Sequence, residues 1–438
     1  MIPHRRRYLY GALALLALWS LGTYYTAFVK TTSQPPSSSS RLELENRLRH
    51  VELAVAEQIR ANRELASLIK EAKGGDGSGL PSPTPPLIDS PIAVLVIACN
   101  RPKAIKAHLQ SLLRLRPSAK LFPIVVSQDC GHAETREVIK SFGDAVTLIQ
   151  HPDTSEITLP PKTKKFAGYY KLSRHYRWAL NQTFFHFGYK TAIITEDDLE
   201  IAVDFFDYMA GTYPLLRVDS SLWCVSAWND NGKASLIDVA AAERLRRSDF
   251  FPGLGWMLRK EVWEELEPGW PAAFWDDWMR QPEQRKGRAC IRPEISRTAM
   301  SREGKVGVSR GLFFEKHLKH IILNQSPVAF AKMDLSYLLK DAYEERFGEE
   351  VYSTPSITQT ELHAKVLEDG SSIPAAVRLT YDNKNTYKTT AKAFGLMDDF
   401  RAGVPRTAYR GVVEFMDKGT RVFLAPEIGW KGYDITWT

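Results

Sequence analysis

Apolar and polar positions divide the chain into stretches of different period. Tyr8 to Val29 carries no charged side chain and is rich in Leu and Ala. At about 1.5 Å per residue, such a run can cross a hydrocarbon core about 30 Å thick, which predicts a single transmembrane helix over 8–29. Arg5, Arg6 and Arg7 precede it and Lys30 follows. That charge bias predicts a cytoplasmic tail over 1–7 and a lumenal remainder, a single-pass type II topology with a signal-anchor. A cleavable signal peptide would have a shorter apolar core of about 7–15 residues and a small-residue cleavage site. Thr26-Ala27-Phe28 does not supply that site.

Over 42–72 the spacing changes to a heptad. Leu44, Val51, Gln58 and Leu65 take one position, and Leu48, Val55, Asn62 and Ile69 the other, between charged flanks. The pattern fits a short coiled coil that would pair stems into an oligomer, or a lone amphipathic helix. Residues 74–87 are rich in Gly, Pro and Ser, a flexible linker that closes a stem over 30–91.

From residue 92 to 438 the chain predicts one large lumenal body. Strands are expected at Ile92 to Ala98, Phe122 to Ser127, Val146 to Gln150, Ala192 to Thr195 and Leu222 to Ala227. Helices alternate with them at Lys103 to Leu115, Thr135 to Phe142 and Ala167 to Phe187. The alternation predicts an α/β fold, a mostly parallel sheet with helices on both faces. Three strands end in polar residues, Asn100-Arg101, Gln128-Asp129 and Glu196-Asp197-Asp198, so one rim carries the chemistry. Neither a GxGxxG nor a GxxxxGK[ST] loop occurs, which weakens dinucleotide and P-loop readings.

The net charge of +7 is small and dispersed, so no nucleic-acid partner is expected. The 4 cysteines, Cys99, Cys130, Cys224 and Cys290, all follow the expected span. In an oxidising lumen they suggest disulfides, with the pairing open. Their spacing is too wide for a zinc motif. Asn181-Gln182-Thr183 and Asn324-Gln325-Ser326 are glycosylation sequons that fit a lumenal chain.

Two acidic clusters stand out. Glu196-Asp197-Asp198 ends an apolar strand, where a carboxylate must stay solvated, be paired or bind a cation. Hard divalent cations take one or two carboxylates together with substrate phosphates, the chemistry of a nucleoside-diphosphate site. A helix N-cap is the plainer alternative. Phe274-Trp275-Asp276-Asp277-Trp278 sets two carboxylates between aromatic rings. This suits a general base beside a sugar, or a helix start whose tryptophans are core.

Seven motifs in order resemble the N-acetylglucosaminyltransferase I family. They are Ser127-Gln128-Asp129-Cys130-Gly131, Arg174-His175-Tyr176-Arg177-Trp178, Glu196-Asp197-Asp198, Ser226-Ala227-Trp228-Asn229-Asp230-Asn231-Gly232, Asp249-Phe250-Phe251-Pro252-Gly253-Leu254-Gly255-Trp256, Phe274-Trp275-Asp276-Asp277-Trp278 and Arg292-Pro293-Glu294-Ile295-Ser296-Arg297-Thr298. The likeness continues through Gly403 to Gly411. It implies a GT-A fold, a nucleotide-sugar-binding sheet joined to an acceptor-side subdomain, with 92–438 as a lumenal catalytic domain in the Golgi membrane. It also implies an inverting transfer of GlcNAc from UDP-GlcNAc, with Mn²⁺ as cofactor. The acceptor would be the α-1,3-linked mannose of a high-mannose N-glycan on a glycoprotein, in β-1,2 linkage, the step that initiates hybrid and complex N-glycans.

Residue by residue, the resemblance makes Asp276 the catalytic base and Asp198 the metal ligand. Asp197 would reach the ribose and Glu196 the GlcNAc. Arg101, Asp129 and His175 would hold the uridine and its phosphates, and Trp275 and Leu254 the donor sugar. Val308 and Ser309 would lie in a loop over the UDP, and the cysteines would pair Cys99 with Cys130 and Cys224 with Cys290. The chain departs from the family around that loop, where 301–307 is long and Arg310 and Leu312 are atypical. Read without the resemblance, His175 is a satisfied core histidine, Arg101 a solvated helix start and Asp129 a turn cap.

Overall fold

A computed structural model describes residues 88–307 and 311–438, all within one compact unit, Pro83–Thr438. The expected tail, span, coiled coil and linker over 1–87 lie outside the described residues, as do Val308, Ser309 and Arg310.

The membrane expectation is corrected. Among the described residues no helix is long and apolar enough to cross a membrane. The apolar helix Phe205–Val218 has 14 residues, short of the roughly 20 a span requires. Its sides are covered by protein instead. The transmembrane, signal-anchor, type II, membrane-partner and Golgi-membrane expectations are therefore withdrawn.

The body is built on β1 (Ile92–Ala98), α1 (Pro102–Leu115), β2 (Ile124–Gln128), α2 (Ala133–Lys140), β3 (Thr147–Gln150), α3 (Ala167–Asn181) and β4 (Thr191–Glu196). There follow β5 (Leu199–Ile201), α4 (Phe205–Val218), β6 (Leu222–Ser226), β7 (Leu245–Ser248) and β8 (Trp256–Arg259). Next come α5 (Lys260–Leu266), α6 (Trp275–Met279), α7 (Pro282–Arg285) and β9 (Ala289–Pro293). The main sheet has 8 strands in the order β3-β2-β1-β4-β8-β6-β9-β7. Strand β1 is buried along its whole length, which is why its sequence is a continuous apolar run. Its side chains divide by parity. Ile92, Val94 and Val96 pack with Ile105 and Leu109 of α1 and with Phe205 of α4. Ala93, Leu95 and Ile97 pack with Tyr176, Ala179 and Leu180 of α3. Helices thus cover both faces.

The sheet is less parallel than its sequence predicts. Strands β3, β2, β1 and β4 run parallel, but β8 inserts antiparallel between β4 and β6. Its four residues follow the tight Gly253-Leu254-Gly255 turn and carry no helical crossover before them. A parallel neighbour would need such a crossover.

The C-terminal part has its own core. Outside the main sheet β10 (Thr298–Met300) pairs with β5 and β12 (Phe400–Arg401) with β13 (Val404–Pro405), while β11 (Ala376–Tyr381), β14 (Val413–Asp417) and β15 (Thr420–Pro426) form a sheet in the order β11-β15-β14. The helix Lys384–Ala393 packs on it through Tyr387 and Ala391, together with Phe400. Buried charges join this part to the main sheet. Arg246 of β7 donates to Glu350 through Nη1 at 2.8 Å and to Glu414 of β14 through Nη2 at 2.7 Å. Breaking one member would leave its partner buried and unpaired, the expensive case.

Both sequon asparagines are committed to internal bonds. Asn181 Oδ1 accepts from Trp263 Nε1 at 2.9 Å, and buried Asn324 donates to Asp204 Oδ1 at 3.0 Å.

Candidate active site

The strand order places the site. After β3 the chain crosses back to add β4 on the other side of β1, and ligands bind in the crevice beyond strand ends at such a switch. Two chain segments leave there side by side, Cys99-Asn100-Arg101 and Glu196-Asp197-Asp198, held in register by pairing of Ile97 with Glu196. A disulfide joins Cys99 to Cys130 with a Cα–Cα distance of 5.3 Å, tying the β1 and β2 exits together. A second joins Cys224 of β6 to Cys290 of β9 within the core.

Arg101 caps the start of α1, with Pro102 at the first helical position. Its guanidinium spans the acids, pairing through Nη2 with Asp197 and through Nη1 with Asp198 Oδ2 at 2.6 Å. The other oxygens, Asp197 Oδ2 and Asp198 Oδ1, are buried with no hydrogen-bond partner in the protein. Burial above all pushes the Glu196 carboxyl up to about 7, and the Asp198 charge adds to this. Burial likewise lifts Asp197 to about 6, with Arg101 opposing and Asp198 adding. Three adjacent carboxylates thus face one guanidinium. The local field asks for further positive charge, and the orphaned oxygens are where it would sit.

Among the described residues no three His, Cys, Asp or Glu side chains are grouped as a cage for a metal. A divalent ion that relies on substrate phosphates needs only one or two carboxylates from the protein. The donor set therefore fits a shared ion better than a resident one. The backbone of 302–306 lies close above it: a Cβ at Gly304 would come within 3.3 Å of Asp198 Oδ2.

Asp129 and His175 occupy different depths. Asp129 continues the strand pairing, its amide donating to Ala98 O at 2.9 Å. Burial raises its carboxyl, but His151, 3.4 Å away, and the Cys130 amide outweigh that and hold it below the usual range. His175 is buried behind β2, where its Nε2 meets Ser127 Oγ at 2.8 Å. Burial depresses it to about 4, so its ring is neutral and braces β2 from behind.

A cleft of about 380 Å³ lies beside Glu196, and Leu254, Trp275, Asp276, Arg401 and Arg406 also line it. Leu254 sits at φ +51° between Gly253 at +71° and Gly255 at +87°. The left-handed backbone is costly for a leucine. Two hydrogen bonds hold it, from Ser226 Oγ to Gly253 O at 2.9 Å and from Thr298 Oγ1 to Leu254 O at 2.6 Å. At Gly255 a Cβ would strike Thr298 at 2.6 Å, so only glycine closes this turn.

Trp275 stacks on Tyr176 at 4.4 Å, and its other ring neighbours are Trp270 at 5.7 Å, Trp256 at 6.0 Å and Phe251 at 6.2 Å. The Tyr176 hydroxyl donates to Glu196 Oε1 at 2.7 Å, linking this aromatic column to the acidic triplet. Asp276 and Asp277 open α6. Buried Arg280 donates from one nitrogen to Asp276 Oδ2 at 2.9 Å and Asp277 Oδ1 at 2.8 Å. Asp277 also accepts from Arg401 Nε at 2.6 Å. Burial raises the Asp277 carboxyl, but the two guanidiniums more than offset this and keep it below the usual range.

Arg101, Asp129, Glu196, Asp197 and Asp198 thus gather at the β1–β4 crevice. Glu196, Leu254, Trp275 and Asp276 meet in the adjoining cleft. His175 stands behind both, and Val308 and Ser309 are outside the described residues. Sequence reasoning missed Tyr176, Arg280, Arg401 and Arg406. Tyr176 was visible inside the Arg174-to-Trp178 motif. Arg280 was visible one helical turn after Asp276, the spacing at which helical side chains meet.

The comparisons with known proteins bear on all of this. A profile described as the GNT-I family matches residues 6–437. An Arabidopsis thaliana protein named alpha-1,3-mannosyl-glycoprotein 2-beta-N-acetylglucosaminyltransferase is 39% identical over 334 residues, covering 76% of this chain and 73% of that protein. Among solved structures, the Pyrobaculum calidifontis mannosyltransferase PcManGT, in complex with GDP-Man and Mn²⁺, covers 71% of this chain and 90% of its own at 15% identity and a TM-score of 0.34. S. aureus TarS with UDP-GlcNAc covers 64% of this chain and 77% of its own at 13% identity and a TM-score of 0.34. Likeness at that level carries no argument about the site.

Proposed function

The chain belongs to the GNT-I family, and from that premise we propose that it moves GlcNAc from UDP-GlcNAc to the 2-hydroxyl of the α-1,3-linked mannose of an N-glycan, inverting the donor carbon. The observation that carries this reading is one cleft shared by Glu196, Leu254, Trp275 and Asp276, with Glu196 the first acid of the triplet that ends β4.

The geometry supports a set of roles for these residues. Arg101 and Asp129 flank the β1–β4 crevice, where a uridine diphosphate would lie. Asp198, with Asp197 beside it, would hold Mn²⁺, whose charge on the diphosphate oxygens would favour departure of UDP. Leu254 and Trp275 present apolar surface to the hexose, and Glu196, held by Tyr176, offers an acceptor for its hydroxyls.

Asp276 acts on the acceptor. Its Oδ2 is held by Arg280, leaving Oδ1 for the mannose hydroxyl. As that proton moves to Asp276, the mannose oxygen bonds to the anomeric carbon while the bond to the phosphate oxygen breaks. A single displacement inverts the carbon, whereas retention would need a carboxylate nucleophile and a second step. Asp277, held by two arginines, braces the helix start instead.

The direct test is mass analysis of the product from UDP-GlcNAc and a five-mannose N-glycan, with and without Mn²⁺. One added HexNAc, in β-1,2 linkage and only with the metal, is expected. Addition to an O-linked mannose acceptor in its place would point to a related transferase with the same donor chemistry.

A further inference from the structure

A second cavity lies on the C-terminal part, away from the groups just assigned. It encloses about 330 Å³ between the end of β11, the turn at Gly403 and the last residues of the chain. Tyr381, Trp430, Tyr433 and Trp437 supply its rings, and Asp382, Glu427 and Asp434 its carboxylates. Trp430, Tyr433 and Trp437 are each half-buried, seated on one side and open on the other. Rings that present a C–H-binding face beside hydroxyl acceptors are the chemistry of a saccharide subsite, apolar body and polar tip together.

The cavity is built, not incidental. Trp430 meets Tyr433 edge-on at 4.8 Å. The Tyr433 hydroxyl donates to buried Asp249 at 2.6 Å and accepts from the Gly411 amide at 2.9 Å. The Gly403 amide donates to Trp437 O at 3.0 Å. Gly403 has φ +80°, and a Cβ there would meet Asp434 O at 2.2 Å, so the tail sits directly on the turn.

That turn connects the cavity to the catalytic cleft. It joins the short strands Phe400–Arg401 and Val404–Pro405. Phe400 packs against Trp437 at 5.4 Å on the cavity side. Arg401, the next residue, reaches Asp277 and lines the cleft, as does Arg406 just beyond the hairpin. One hairpin is a wall of both spaces.

We propose that the C-terminal cavity is an accessory saccharide subsite that takes a further sugar of the same branched acceptor glycan whose mannose is modified in the cleft. This rests on the N-glycan reading above. A branched oligosaccharide has sugars to spare beyond the reacting one, and a second foothold would select it over a small mannoside.

The test uses the full chain with Trp430→Ala and Trp430→Phe, both checked for unchanged thermal melting. Trp430→Ala should raise KM for the five-mannose glycan roughly 3–10-fold, the size of one aromatic contact. The kcat and the KM values for methyl α-mannoside and UDP-GlcNAc should stay as they are, and Trp430→Phe should recover most of the loss. Equal KM for both acceptors in all three proteins would overturn the proposal, as would an effect seen only with intact glycoprotein, which would assign the cavity to peptide. Saturation-transfer NMR with the free five-mannose glycan decides independently of turnover. Sugar signals that vanish in Trp430→Ala support the subsite, and signals that persist at full strength refute it. If the parent protein transferred no GlcNAc to any mannose acceptor, the function reading itself would fail, and the NMR result would still stand.

Discussion

The two acidic clusters share a composition and differ in everything that decides their chemistry. At the end of β4, three consecutive carboxylates are crowded against one guanidinium, and burial raises the proton affinity of Glu196 and Asp197. At the start of α6, two carboxylates meet two guanidiniums, and Asp277 is held below its ordinary range. The first cluster carries unmet negative charge and calls for a cation. The second is neutralised within the protein, which leaves one oxygen of Asp276 free to accept a proton. Charge balance, not the count of acids, separates the proposed metal-and-donor site from the proposed base.

Exchanging or removing single charges should expose that difference. Asp198→Ala should lower transfer roughly 10³-fold or more by removing the proposed metal ligand, a loss of several kcal/mol of charge stabilisation. Mn²⁺ titration followed by product assay checks it, and normal turnover with unaltered metal dependence would refute the assignment. Asp276→Asn should lower kcat by roughly 10²–10⁴-fold, the usual worth of a general base. Calorimetry should find donor binding intact. Were Asp277→Asn the slower protein of the two, the roles within the pair would have to be exchanged.

Smaller effects should sharpen the contrast. Tyr176→Phe keeps the stack on Trp275 but removes one hydrogen bond to Glu196, worth roughly 1.5–3 kcal/mol if the carboxylate is charged. KM for UDP-GlcNAc should therefore rise at least about 10-fold while KM for the acceptor holds, which initial-rate kinetics would show. Asp277→Asn should cost less than about 1 kcal/mol of stability, because its ion pairs are partly open to solvent. Its activity should fall less than that of Asp276→Asn. Thermal melting beside the same rate assay distinguishes the two.

How far these features could be read from the sequence follows the range of the interactions involved. Strands β1, β2 and β4 were legible within a residue or two, because burial on both faces writes itself as an uninterrupted apolar run. The acidic triplet was legible as soon as it was seen to end such a run. Strand β8 was not, since four residues after a glycine turn carry no period. The depth of His175 was legible in part: read from the residues alone it is a satisfied core histidine, and it lies buried against Ser127. The C-terminal sheet depends on β11 pairing with β15 across long intervening sequence, and the Arg401–Asp277 pair spans 124 residues. Local pattern holds no information at that distance.

The hydrogen bond from Arg401 to Asp277 also sets an order in time. A ribosome makes the acidic triplet, the Leu254 turn and the Asp276 helix well before it reaches Phe400. Until the last part of the chain has been made and has folded against α6, Asp277 lacks one of its two guanidiniums. The hairpin wall of the cleft is missing too. A polypeptide interrupted before that point would hold every proposed donor and base residue without the brace that sets them. Formation of the Phe400–Pro405 hairpin is thereby the step that completes the cleft around acids already made.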